Sequence, residues 1–250
     1  MKYGIDISTY QRNIDYDTVA QNIDFAILRV GFGVTYLPTS QKDMQFENHY
    51  NGLSGKVPIG AYYYAYANAI GEGIREAENC LRYLNNKKLE LPIYYDLEDN
   101  SMRYINEVAR EFVDTIKAAG YKAGIYCNMD WAINKIDLSK FQDCSIWIAM
   151  YGLNTGIIPN NRPSINYDVW QYTSRGNING INGNVDINIA NDDYLLDNTN
   201  KKTNEEIANE VISGLWGNGD DRRTRLLNAG YDYNIIQNIV NLKLSAGENQ

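Results

Sequence analysis

Eight short runs of strand-forming residues recur along the first 193 positions, and amphipathic helical stretches lie between several of them. The runs cover residues 3–7, 25–30, 59–65, 91–96, 123–127, 146–150, 169–172 and 185–189. The clearest helical intervals are 74–84 and 105–119, the second followed by Gly120 as a helix stop. Eight strands with interleaved helices predict a βα barrel rather than an open sheet. Loops rich in Gly, Asn and Pro at 154–163 and 174–184 predict that the barrel is irregular in its second half. The fold class is α/β: an irregular βα barrel, then a small three-helix bundle.

The bundle follows a change in composition. Residues 197–204 are polar and without periodicity, which reads as a linker. Beyond it, 205–214, 220–229 and 233–242 read as three short helices with Gly217, Gly219 and Gly230 as stops. A bundle of ~40 residues is near the lower limit for independent folding. The predicted division is 1–193 for the barrel, 194–203 for the linker and 204–244 for the bundle.

Several function classes fall away on composition. The chain carries 31 Asp and Glu against 23 Lys and Arg, a net charge of −8, which argues against a nucleic-acid partner. No apolar run approaches the ~18 residues of a membrane span. The opening residues Met1 to Asp6 lack an apolar signal core, so no secretory signal is expected. Cys80, Cys127 and Cys144 are odd in number and widely spaced, and read as free buried thiols. The single histidine, His49, lies in a helical stretch at 41–53, where a surface or capping role is expected. One histidine and no close cysteine pair leave no basis for a His-based zinc site or a Ser-His triad. Any hydrolysis then falls to carboxylates. Tyrosine is abundant at 21 copies, crowded at Tyr62, Tyr63, Tyr64 and Tyr66. Its flat face and hydrogen-bonding rim suit sugar rings, and it also simply fills strands; composition does not separate the two.

Four acids stand at the ends of strand-like runs: Asp6, Asp96, Glu98 and Asp186. In a βα barrel the strand C-termini converge on one mouth. Asp96 and Glu98, at i and i+2, would face the same side, with Cα atoms ~6.5 Å apart if extended. Like charges held close raise the pKa of at least one member and keep it protonated near neutral pH. Glycoside hydrolysis needs such a proton donor and a second carboxylate for the developing cation. Two other readings stay open here. The acids could cap helices or pair with Arg29 or Arg175, or together hold a hard cation.

Eight ordered blocks add a resemblance. They are Gly4-Ile5-Asp6-Ile7-Ser8, Phe25-Ala26-Ile27-Leu28-Arg29, Gly60-Ala61-Tyr62-Tyr63-Tyr64, Tyr95-Asp96-Leu97-Glu98, Gly124-Ile125-Tyr126-Cys127-Asn128, Trp147-Ile148-Ala149-Met150-Tyr151, Val169-Trp170-Gln171-Tyr172-Thr173 and Val185-Asp186-Ile187-Asn188. Together they resemble glycoside hydrolase family 25, the Chalaropsis-type lysozymes. The resemblance implies cleavage of the β-1,4 bond between N-acetylmuramic acid and N-acetylglucosamine in peptidoglycan, on an irregular barrel, with no metal or organic cofactor. It makes Glu98 the general acid. Asp96 is its partner, either as nucleophile or by orienting the substrate's N-acetyl group. Asp6 and Asp186 line the same cleft and tune the pair. Tyr62, Tyr126, Trp147 and Gln171 fall in the substrate-lining blocks. One departure is Tyr63, where many members have His after the Tyr of the Gly-x-Tyr block.

The tail resembles the short three-helix cell-wall-binding repeat of phage lysins, through residues 207–219, Asp221-Arg222-Arg223, Leu226 and Ala229-Gly230-Tyr231-Asp232-Tyr233. The resemblance implies peptidoglycan as partner and places ligand contact at Trp216, Asn218, Asp221 and Arg222. The competing reading makes Trp216 core and Asp221 a helix N-terminal acid. The repeat usually occurs in tandem, and this chain has one copy. The cleft could then supply the second wall site, or the chain could form a homo-oligomer through the module. Synthesis in a bacterial host cytoplasm without a signal peptide, then action on the wall after release, is the expectation for a phage endolysin. The rival functions are a non-catalytic peptidoglycan-binding protein on the same barrel and a metal-dependent deacetylase.

Overall fold

The computed structural model describes residues 1–37, 41–191, 194–195, 204–229 and 231–247. The chain divides into two compact units, 1–199 and 200–250.

In the first unit β1 (Lys2–Ile7), β2 (Phe25–Phe32), β3 (Ile59–Tyr64), β4 (Ile93–Asp96), β5 (Ala123–Asn128), β6 (Ser145–Ala149), β7 (Val169–Gly176) and β8 (Val185–Ala190) close into a barrel in chain order. Each falls on one of the eight predicted runs. Strands β1 to β7 are successively parallel, and β8 is antiparallel to both β7 and β1. The reversal has a simple cause. Parallel neighbours need a crossover of ~12 residues or more, and residues 177–184 supply only a hairpin connection.

Helices α1 (Tyr16–Ala20), α2 (Phe46–Leu53), α3 (Glu72–Leu84), α4 (Ile105–Ala118) and α5 (Met129–Asn134) occupy the connections up to β6. Helix α3 buries Ala77, Cys80 and Leu84, and α4 buries Val108, Phe112 and Ile116, the one-sided stripe of a helix lying on a sheet. Between β6 and β7 the chain makes only turns and bends, the predicted irregularity.

Strand alternation sorts the apolar residues into two layers. Ala26, Leu28 and Val30 join the large core under the helices. Phe25, Ile27, Tyr94, Tyr126, Trp147 and Val169 form a second core inside the barrel. Large interior rings need small neighbours. A Cβ on Gly4 would meet the Phe25 ring at 2.4 Å, and one on Gly124 would meet the Tyr94 ring at 2.5 Å. Tyr194 and Leu195, which polarity had placed at the start of the linker, belong to this interior. The Tyr194 ring lies edge-on to Phe25, and its hydroxyl is 2.7 Å from that of Tyr94. The rest of the predicted linker lies outside the described residues.

His49 corrects an expectation. It is fully buried, because α2 turns Phe46, His49 and Leu53 inward at helical spacing. Its Nε2 faces the Ser8 carbonyl at 3.0 Å and must donate there, which leaves Nδ1 to accept from the Tyr16 hydroxyl at 3.0 Å. Burial lowers its pKa. The three thiols are free; Cys80 and Cys127 are buried and Cys144 is half-buried.

The second unit is three helices, Asn204–Ile212, Gly219–Asn228 and Tyr233–Gly247, around Ile207, Ala208, Val211, Leu226, Ile236 and Val240. Gly214 and Gly217 take positive φ in the first connection, whereas Gly219 opens the second helix instead of stopping one. Gly230 lies outside the described residues. Among the described residues no helix is long and apolar enough to cross a membrane.

Gly124 gives a test of the interior. Its Cβ would also lie 2.6 Å from the Ser145 carbonyl oxygen. The Tyr94 ring is pinned through its hydroxyl to Ser145 and Tyr194, so it has little room to yield. Gly124→Ala is expected to cost ~1–3 kcal/mol, a drop of several degrees in the thermal midpoint followed by circular dichroism. An unchanged midpoint would mean that the interior is loosely packed.

Candidate active site

Each of the four acids reaches the same mouth by a different route. Asp6 is the penultimate residue of β1, and Asp96 is the last of β4. Glu98 follows two residues past the strand end. Asp186 is the second residue of β8, which in a parallel strand would put it at the opposite end of the barrel. Because β8 runs backwards, Asp186 sits in register beside Asp6. All four line one cleft of about 830 Å³.

Asp6 is the best-anchored. Its Oδ2 accepts hydrogen bonds from Gln171 Nε2 and Asn188 Nδ2, both at 2.8 Å. Both donors are themselves fixed. Gln171 Oε1 accepts from the Tyr126 hydroxyl at 2.8 Å and the Tyr151 hydroxyl at 2.5 Å. Asn188 Oδ1 accepts from Trp147 Nε1 at 2.8 Å. Asp96 is treated differently. Its Oδ1 is buried and has no hydrogen-bond partner among the described residues, an unusual and costly state for a carboxylate oxygen.

The electrostatics follow from that packing. Burial raises the Asp6 pKa, the Asn188 and Gln171 donors pull it back, and the outcome is about 6. Burial, then the charges of Asp6 and Glu98, push Asp186 up to about 8. Asp96 is raised well above the carboxylate range by burial, then by Glu98 and Asp6, with Arg29 opposing. Glu98 is the most solvent-accessible of the four. The cleft walls, then Asp99, still hold its pKa above the ordinary glutamate value. Such a set keeps some carboxyls protonated and others ionised at the same pH, the condition for acid and base roles side by side.

The expected lining residues Tyr62, Tyr126, Trp147 and Gln171 all border the cleft. Only Tyr62 among them is half-exposed; Tyr126, Trp147 and Gln171 are buried. Trp147 lies 4.4 Å from Tyr126 and 5.2 Å from Tyr94, ring to ring, as part of the cleft floor. Arg29 does not pair with the catalytic candidates. Its Nε donates to buried Asp43 at 2.7 Å, and its guanidinium lies over Tyr10 at 5.3 Å. Arg175 borders a different hollow. Among the described residues no group of three or more His, Cys, Asp or Glu side chains is arranged to hold a metal ion.

Sequence reading missed Asn188 and Tyr151, although both stand in the quoted blocks, Asn188 at i+2 from Asp186. It also missed Tyr10; of the crowded tyrosines, Tyr64 and Tyr66 line the cleft with Tyr62, whereas Tyr63 is core.

In the tail unit, Trp216 is half-buried against the helical core, and its Nε1 donates to Glu210 at 3.0 Å. Arg222 spends its donors on Gly217 O, Gln237 Oε1 and Asn218 Oδ1. Asp221 lies in the first turn of the second helix and pairs with Arg225 at 3.0 Å. Residues 216–218 thus form a connection braced by Arg222 of the second helix, with Trp216 packed against the core and Asp221 in the first helical turn.

The family model for glycosyl hydrolases family 25 matches residues 5–181. The chain belongs to this family. A CW_7 repeat matches residues 205–244. A lysozyme of Streptococcus phage Cp-7 is 35% identical over 204 residues, covering 76% of this chain and 56% of that protein. The catalytic domain of endolysin ply40 from bacteriophage P40 of Listeria monocytogenes superposes with a TM-score of 0.71 at 28% identity, covering 80% and 98% of the two chains. A family 25 glycosyl hydrolase of Streptococcus pneumoniae, described as participating in host cell invasion, gives 0.72 at 28%, covering 80% and 94%. The chain spans a little over half the length of the curated relatives that it matches first.

The Asp186 pKa has a measurable consequence. Its ordinary value is 3.8, and the fold raises it to about 8. Folding therefore favours the neutral form; the contribution is fully present below pH 3.8 and is lost as pH rises through about 8. Asp186→Asn cannot ionise. The variant's thermal midpoint minus that of wild type is expected to grow from about pH 4 to about pH 8 and then level off. A difference that stays flat across the window would mean that the fold does not hold Asp186 neutral.

Proposed function

We propose that the barrel is a muramidase of the endolysin type, cleaving the β-1,4 bond between N-acetylmuramic acid and N-acetylglucosamine in peptidoglycan. The convergence of four carboxyls of unlike protonation on one aromatic-walled cleft carries this reading. Glu98 is the accessible acid with a raised pKa, and it gives its proton to the glycosidic oxygen as the bond from the sugar's anomeric carbon breaks. Asp96, with one uncommitted oxygen, supports the cation that forms there, either by bonding the carbon or by holding the substrate's acetamido group. Water then adds at that carbon and returns a proton to Glu98. Asp6 and Asp186 line the same cleft and tune the pair, Asp6 as a charge and Asp186 as a neutral acid near pH 7. Tyr62 offers a face to sugar, while Tyr126, Trp147 and Gln171 hold the floor.

The C-terminal repeat, residues 204–244, is the wall-binding module in this reading, and the barrel ahead of it includes Tyr194 and Leu195. Contact falls on Trp216 and Asn218 in the first connection and on Asp221 and Arg222 in the first turn of the second helix. A single repeat leaves the cleft as the second site on the wall, or assembly of chains through the module. The protein is made in a bacterial host's cytoplasm and reaches the wall after release.

Glu98→Gln keeps the shape but has no proton to give. Its rate of reducing-end release from purified walls is expected to fall ~10²–10⁴-fold, with an unchanged circular dichroism spectrum. More than a tenth of wild-type activity would sink the assignment.

Deleting 197–250 separates targeting from chemistry. The truncated barrel is expected to keep its rate on soluble muropeptide oligomers and to lose rate on intact walls, most at low enzyme concentration. Light scattering on both forms reads whether the tail assembles the chain. Rates that match wild type on both substrates would remove the targeting role.

A further inference from the structure

Glu76 is a buried carboxylate that the proposed chemistry does not use. It lies on the inward face of α3 with no solvent exposure, and no cation pairs with it among the described residues. Besides the Ala67 backbone N–H, two donors hold it. The Tyr95 hydroxyl donates to Oε2 at 2.5 Å, and the Tyr66 backbone N–H donates to Oε1 at 2.9 Å. Burial pushes its pKa up to about 7, against the pull of those hydrogen bonds. An apolar side chain would fill the same space without the cost of burying a carboxyl.

Both donors lead to the cleft. Tyr66 lines it, 43% exposed, with its ring 5.0 Å from Tyr64 and 6.3 Å from Phe32, which also line it. Tyr95 immediately precedes Asp96. The Ala65 N–H donates to the Asp96 carbonyl at 3.1 Å, which ties the end of β3 to the end of β4. Glu76 spans that junction from behind, joining the residue after Ala65 to the residue before Asp96. We propose that Glu76 is a positioning residue for glycan binding: through Tyr66 it fixes the aromatic wall that a sugar ring packs against, at a set distance from Asp96. This rests on the reading of the cleft as a peptidoglycan site.

Asn79, one turn further along α3, is a built-in comparison. It is also buried, but its Nδ2 donates to the Gly33 and Val34 carbonyls, at 3.4 and 2.9 Å, and makes no bond to the Tyr66 backbone.

The test is a double-mutant cycle on the full-length protein, using soluble muropeptide oligomers. Glu76→Ala is expected to raise KM by up to about tenfold, the size of one lost ring contact, with a smaller change in kcat. Tyr66→Ala is expected to do the same, and the double variant to be no worse than Tyr66→Ala alone. Glu76→Gln, which keeps an acceptor for the Tyr66 N–H, is expected to restore most of the loss. Asn79→Ala combined with Tyr66→Ala is expected to multiply. If Glu76→Ala does not fold, Glu76→Asp withdraws the acceptor by one methylene and enters the same cycle. Multiplicative effects of Glu76 and Tyr66, or a lowered melting temperature with KM unchanged, overturn the proposal. Failure of wild type to release reducing ends overturns the muramidase reading alone; the cycle read as Kd of the same oligomers on a Glu98→Gln background still decides the role of Glu76.

Discussion

Two side-chain amides, from Gln171 on β7 and Asn188 on β8, converge on one buried oxygen of Asp6, and much of the barrel interior is arranged around that meeting. A buried carboxylate needs donors to remain ionised near neutral pH. Each amide also needs its own oxygen satisfied, or it could turn. Trp147 and the pair Tyr126 and Tyr151 supply those donors. The network thus crosses five strands or strand ends and fixes the cleft floor before any substrate arrives. The Asp6 charge then spreads outward: it contributes to the raised values of both Asp96 and Asp186.

The reversed strand makes this geometry. With β8 parallel, Asp186 and Asn188 would exchange depths, and the residue deep in the barrel beside Asp6 would be the acid rather than the amide. Running backwards, β8 sets Asp186 at the mouth and Asn188 further in, where its amide reaches Asp6. This is also where sequence reading was blind. Alternation of apolar residues marks a strand but carries no direction, so all eight strands were legible and the orientation of the last was not. The short connection at 177–184 held the clue.

Other residues were illegible for local reasons. His49 sits among polar neighbours, and its burial depends on which face of α2 meets α1 and β2. Glu76 reads as an ordinary helix glutamate, since nothing in its window announces the donors that reach it from β4 and from just beyond β3. Tyr194 follows a polar stretch, and only the barrel interior explains its burial. The four acids were legible because each stands at or just beyond one end of a strand-like run. Asn188 and Tyr151 were visible in the same blocks, but their function is to orient other groups, and spacing does not reveal an orientation.

Access divides the labour among the four carboxyls more sharply than their pKa values do. Asp6 has a value near neutrality, which would suit proton transfer, but its hydrogen-bonded oxygen is enclosed by two amides. Asp186, raised to about 8, holds a proton at neutral pH and so adds no charge to the mouth. Asp96 is buried and keeps one oxygen uncommitted, an arrangement costly in the empty cleft and relieved when a cation or an amide N–H comes within reach. Glu98 alone of the four combines a raised pKa with an open approach. Under the proposed muramidase chemistry, that open approach is what suits Glu98 to proton donation.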